Sequence, residues 1–127
     1  MPPITPIHTP KAPAPFGPFV QGVKTDTLVF STGQLPIDPA TGELVSDDVQ
    51  VQTRQVLTHL KSILEAAGCS LDRVLKATVF ITSMDDFDKM NEVYAGFFSD
   101  SPPARSCIEV SGLAKGAKVE IEVIALL

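Results

Sequence analysis

Val74-Leu75-Lys76-Ala77-Thr78-Val79-Phe80-Ile81-Thr82 is rich in β-branched and apolar residues and lies between two stretches with helical periodicity. Strand side chains alternate between faces, so Leu75, Ala77, Val79 and Ile81 are expected to form one continuous apolar face. Upstream, Ser46-Asp47-Asp48 opens a helix with a capping residue and an acidic first turn, both favourable at the positive end of the helix dipole. Val49, Val56, Leu60, Ile63, Leu64 and Ala67 follow at helical spacing, and Gly68 closes that helix. Downstream, Ser83 and Asp86 have the spacing of a capping box. Phe87, Met90, Val93, Tyr94, Phe97 and Phe98 then mark the inner stripe of a second helix, which Pro102 and Pro103 stop.

Working outward from this core, residues 1–18 hold most of the prolines and read as an extended arm, leaving residues 19–127 as a single domain. Residues 19–23 and 28–33 are β-rich, and Lys24-Thr25-Asp26 between them predicts a hairpin. Asp38-Pro39 and Thr41-Gly42 mark residues 35–45 as a loop. Residues 105–111 and 119–126 read as two closing strands around the loop at 112–117. The order β-β-α-β-α-β-β predicts an α+β fold: a mixed sheet with two helices packed on one face. The other face also carries apolar groups, Phe30, Phe80, Ile124 and Leu126, and two helices cannot cover both faces. A bare apolar face of this kind predicts a second subunit against it.

The chain of 127 residues is 44% hydrophobic and 20% charged, with a net charge of −5. That balance argues against nucleic acid as the main partner, since no basic field exists to hold a phosphate backbone. The two cysteines, Cys69 and Cys107, have neither disulfide-framework nor zinc spacing, and Cys69 reads as a small apolar residue near a helix end. No apolar run approaches the roughly 20 residues that span a membrane. The start lacks a basic, apolar leader and is free of arginine, which predicts a cytoplasmic protein and leaves only a mitochondrial pool open. P-loop, dinucleotide-binding, HExxH and EF-hand patterns are absent.

Pro102-Pro103-Ala104-Arg105-Ser106-Cys107-Ile108-Glu109-Val110 carries the candidate chemistry. Arg105 and Cys107, two residues apart on a strand, emerge on the same side, and an arginine fork matches the two oxygens of a carboxylate. Antiparallel pairing of the last two strands would put Cys107 opposite Glu120 and Arg105 opposite Glu122. Arg105, Cys107, Glu109, Lys118, Glu120 and Glu122 would then share one face. From pattern alone such a face is either a structural ion-pair network or a binding site. Neither histidine pairs with a nucleophile: His8 sits in the arm, and His59 reads as a polar or boundary position of the first helix.

These motifs together resemble the Rid family of reactive intermediate deaminases, also called the YjgF family, and within it the RidA branch. The resemblance rests on Gly17-Pro18-Phe19-Val20-Gln21-Gly22, Ser31-Thr32-Gly33-Gln34-Leu35-Pro36, Glu65-Ala66-Ala67-Gly68, Pro103-Ala104-Arg105-Ser106-Cys107 and Val119-Glu120-Ile121-Glu122, in that order. It implies a chorismate-mutase-like fold forming a homotrimer, with sites in the clefts between subunits. It implies hydrolytic deamination of 2-enamine and 2-imine intermediates, such as 2-iminobutanoate and 2-iminopropanoate, to 2-oxo acids and ammonia. Those intermediates are released by pyridoxal-phosphate-dependent dehydratases, and the hydrolysis itself needs no cofactor or metal.

By the same resemblance Arg105 would bind the substrate carboxylate and Cys107 would assist through its backbone. Glu120 would position or deprotonate the attacking water, Gly33 would leave room in the cleft wall, and Ser31 and Asn91 would line it. Phe19 departs from the pattern, which has tyrosine after Gly-Pro, so the ring is kept and a hydroxyl is lost. Two other readings remain: a non-enzymatic binder of small 2-oxo or amino carboxylates, and a translation-inhibiting endoribonuclease, against which the acidic charge balance and the missing His–nucleophile pair both weigh.

Overall fold

Strand β4 (Val74–Ile81) lies inside a six-stranded sheet, with strand β6 (Val119–Leu126) on one side and β5 (Ala104–Glu109) on the other. The structure is a computed structural model and describes residues 3–127. The remaining strands are β1 (Thr5–Ile7), β2 (Gly22–Lys24) and β3 (Leu28–Ser31), and the sheet order is β1-β2-β3-β6-β4-β5. All neighbours are antiparallel except β4 and β5. Helix α1 (Val49–Ala66) precedes β4, and α2 (Phe87–Phe97) provides the crossover that a parallel β4–β5 pair requires.

Both helices form where their local signals place them, but the acidic first turn expected for α1 is absent, because Asp48 is the cap itself and the first turn holds no acidic residue. Asp48 caps α1 by accepting the amides of Gln50 and Val51 at 2.8 and 3.0 Å. Gly68 ends the helix with φ +83°, a conformation that disfavours a side chain. Ser83 accepts the Asp85 amide at 3.2 Å, so it caps a short 3₁₀ turn at Met84–Asp86 that feeds α2 rather than forming a reciprocal box with Asp86. Val56, Leu57, Leu60, Ile63 and Leu64 are fully buried against Ala77, Val79, Ile81, Val119 and Ile121 of the sheet, as a helix layer on one face requires.

Four further expectations need correction. The first concerns the last two strands, which do not pair. β6, whose Val119, Ile121, Val123 and Ala125 are all buried, takes the interior place between β3 and β4, and β5 is left at the sheet edge. Laterally paired residues share a face, so the register fixes the consequence. Arg105 pairs with Ala77 and Cys107 with Val79, both beneath the helices, whereas Glu120 pairs with Phe80 and Glu122 with Thr78 on the open face. Glu120 and Glu122 therefore lie across the sheet from Arg105, Cys107 and Glu109.

The second correction is Leu75. A register irregularity between Val74 and Lys76 turns it outward, 48% exposed, and Val74 takes the buried position. Third, the strand expected at 19–23 begins only at Gly22 and includes Lys24. Phe19 sits in a turn whose amide bonds the Gly17 carbonyl at 2.8 Å. Fourth, His59 is buried. Its Nε2 donates to the Ile37 carbonyl at 2.7 Å because the 35–45 loop crosses α1 and brings a buried acceptor that needs a donor.

The proline-rich arm lies against the body and adds β1 to the sheet. Gln21 fastens it. The carboxamide accepts the Thr9 amide at 2.7 Å, and Nε2 lies within 3.2 Å of the carbonyls of Thr9, Ala12 and Pro13. A segment short of amide donors is held in this way by one buried side chain from outside it.

Candidate functional site

Arg105 rises from the edge strand toward α2, which meets it with Phe87, Asn91 and Tyr94. That spacing of four and then three residues places all three on one helix face. The guanidinium donates to Asn91 Oδ1 at 2.6 Å, and its carbon sits 4.7 Å from the Tyr94 ring centroid and 5.5 Å from that of Phe87. Two aromatic faces and one amide thus fix the plane of the fork, while its other donors remain for a ligand. Beside it opens a cleft of ≈ 410 Å³, lined by Asn91, Tyr94, Ala95, Phe98, Pro102, Pro103 and Arg105. An arginine in a mainly apolar cleft is suited to bind a small carboxylate.

Cys107 lies two residues on, in the same orientation and half-buried. Burial pushes its thiol pKa up, and the Arg105 charge opposes this only in part. The group is therefore a neutral thiol near pH 7 and not an activated nucleophile.

On the open face Glu120 occupies the space that Gly33 leaves. A Cβ added to Gly33 would stand 2.8 Å from Glu120 Cδ and closer still to Oε2. Burial raises the Glu120 pKa, and the nearby Glu122 carboxylate raises it further. Ser31 pairs with Gly22 and so faces the helix side of the sheet, where its Oγ accepts the Val123 amide at 2.9 Å, carrying the β3–β6 contact past Phe30. Phe19 borders a small hollow with Gly33, Gln34, Leu35 and Phe16, and meets Phe16 edge to face at 5.5 Å.

Within one chain the structure therefore gathers the expected residues into two groups. Arg105, Cys107 and Asn91 lie together on the helix side, and Glu120, Gly33 and Phe19 lie at and around the open face, while Ser31 stands apart, turned with its partner Gly22 toward α1. Phe87 and Tyr94 were expected only as core. Their spacing with Asn91 on α2 was a signal that all three face one partner. Among the described residues no group of three or more His, Cys, Asp or Glu side chains is placed to hold a metal ion. No helix among them is long and apolar enough to cross a membrane.

Residues 9–127 match the family model described as Endoribonuclease L-PSP. The chain is similar to a RutC family protein of Pyrococcus horikoshii, 55% identical over 94% of each chain. It is 46% identical to the 2-iminobutanoate/2-iminopropanoate deaminase of Salmonella typhimurium, over 94% of this chain and 95% of that one. Among solved structures, Escherichia coli TdcF with bound serine superposes with a TM-score of 0.93 at 46% identity, covering 97% of this chain and 98% of the other.

Proposed function

The chain belongs to the Rid family (YjgF/RutC), and from that premise we propose that it hydrolyses 2-enamine and 2-imine intermediates, among them 2-iminobutanoate and 2-iminopropanoate, to 2-oxo acids and ammonia. The observation that carries this reading is Glu120. It is a half-buried carboxylate set into the space of a missing side chain, and its pKa is raised by burial and by the Glu122 carboxylate. Such a group is poised to take a proton and give it back.

In the proposed reaction the Arg105 fork holds the substrate carboxylate with paired hydrogen bonds and so fixes the adjacent imine carbon. Glu120 accepts a proton from water as the water oxygen bonds to that carbon. Glu120 returns that proton to the imine nitrogen, giving a carbinolamine, then takes the hydroxyl proton and passes it to the nitrogen as the C–N bond breaks and the C=O bond forms, releasing ammonia and the 2-oxo acid. An imine is already electrophilic, so orientation and one base suffice. Because β5 is a sheet edge, backbone groups near Cys107 can face the ligand. The serine seen in TdcF is itself an amino carboxylate of the size this scheme requires.

Arg105 and Glu120 act together only if the open face of one copy packs against the Arg105 edge of another. Exposed Phe30, Ile108 and Leu126 on that face support such packing, and the reading includes a homotrimer with intersubunit sites. The test couples the protein to a pyridoxal-phosphate-dependent threonine dehydratase and follows ammonia release, alongside the particle mass in solution. The reading expects faster release than with dehydratase alone, from a particle three times the 13.6 kDa chain mass. A rate equal to buffer would leave only carboxylate binding.

Two further results are expected from this arrangement. The acid limb of kcat/KM is expected above the ordinary glutamate pKa of 4.5, because burial and Glu122 both oppose the charged form of Glu120. The base is thus lost at a higher pH as acid is added, and Glu122→Gln is expected to move the limb down; a pH profile measures both. Phe19→Tyr is expected to raise imine hydrolysis severalfold, since the ring is 39% exposed and a hydroxyl there carries no burial penalty. Equal rates in the two proteins would show that the hydroxyl is irrelevant in this chain.

A further inference from the structure

The loop between β5 and β6 holds Lys115 at φ 61° and ψ 18°, the only non-glycine residue with positive φ among the described residues. A side chain in this left-handed region is strained, and such strain persists where the surroundings hold it in place. The turn sets Lys115 Nζ 5.4 Å from the centroid of the Phe16 ring. Phe16 in turn stands edge-on to Phe19, with the planes at 88°.

Burial does not fix this aromatic pair, because Phe16 is 57% exposed and Phe19 39%. The Gln21 fastening of the arm ends at Pro13, short of both rings. Lys115 supplies the cation against the Phe16 ring, and Phe16 meets Phe19 edge to face beside Gly33.

We propose that Lys115 is a positioning residue: the strained turn places its cation on Phe16 and so holds Phe16 and Phe19 as the aromatic wall of the Gly33–Glu120 half of the site. The catalytic consequence rests on the deaminase reading, but the structural claim does not. Lysine suits the position because an ammonium over an aromatic face is attractive even when partly hydrated. Glycine would relax the turn and release the wall, so stability and function should respond in opposite directions.

The test compares wild type, Lys115→Gly and Lys115→Arg by thermal melting, by ring-proton NMR of Phe19, and by imine hydrolysis. Lys115→Gly is expected to melt no lower than wild type and to shift the Phe19 ring resonances, although Lys115 itself contacts only Phe16. It is also expected to lower kcat/KM about two- to fivefold, mainly through KM, the range that an exposed cation–π contact supports. Lys115→Arg is expected to restore both the resonances and the rate. In a Phe16→Leu background, Lys115→Gly should add nothing further. Unchanged Phe19 resonances in Lys115→Gly, or no restoration by arginine, would overturn the proposal. Absence of imine hydrolysis in wild type would instead sink the deaminase reading, with the Phe19 resonances still deciding the role of Lys115.

Discussion

Arg105→Ala is expected to lower kcat/KM for 2-iminobutanoate by about a thousandfold while leaving the melting temperature near that of wild type. Truncating one partner of a desolvated, hydrogen-bonded charge pair costs about 4 kcal/mol, and about 4 kcal/mol corresponds to roughly three powers of ten in rate. The loss should fall on both KM and kcat, because the same fork binds the carboxylate and aims the imine carbon. Folding should tolerate the change, since Arg105 is half-buried on an edge strand and the Ala77–Val79 layer beneath the helices is untouched. Arg105→Lys keeps the charge but loses the planar fork, the 2.6 Å bond to Asn91 and the stacking on Tyr94 and Phe87. It is expected to recover no more than about tenfold of the loss. Steady-state kinetics, together with calorimetric titration of 2-oxobutanoate, separates binding from turnover. Full kcat/KM in Arg105→Ala would place the carboxylate anchor elsewhere.

Local signals announced what is local in this fold. The cap at Asp48, the glycine stop at Gly68, the apolar stripe of α1 and the alternation through Ala77, Val79 and Ile81 all belong to single segments, and each is realised. What the chain did not announce is which strands become neighbours. Period two correctly tied Arg105 to Cys107 and Glu120 to Glu122, but it carries no phase between strands. The insertion of β6 between β3 and β4 set that phase, and it separated the two pairs onto opposite faces. The same limit explains Leu75, whose outward turn comes from a register irregularity against a distant strand. It also explains His59, whose partner is a loop carbonyl at Ile37. The family motifs supplied the candidate residues as a list, whereas their placement on two faces of the sheet needed the register.

Gly33→Ala is expected to reduce kcat about a hundredfold while the protein remains folded, because general-base assistance of the kind proposed for Glu120 supplies roughly 10²–10⁴ in rate. Gly33 does not appear among the residues with positive φ, so an added methyl meets no backbone strain and acts only through contact. That contact is with the carboxylate end of Glu120, a flexible group that can rotate away. Yielding in this way should cost stability only about 1 kcal/mol, as a small overpacking does, but it removes the base from the water it would hold. The substitution thus displaces Glu120 without altering it, and its kcat should approach that of Glu120→Gln. Glu120→Gln should itself melt slightly higher near neutral pH. A raised carboxylate pKa means that folding favours the protonated form, so the stability contributed below the ordinary pKa is lost as pH rises through the raised one. The double variant decides the cause. If Gly33 matters because it admits the Glu120 carboxylate, Gly33→Ala should cost less than about tenfold more in the Glu120→Gln background. A second full loss there would mean that the glycine makes room for the ligand, and full activity in Gly33→Ala alone would show that the carboxylate is not needed where it stands.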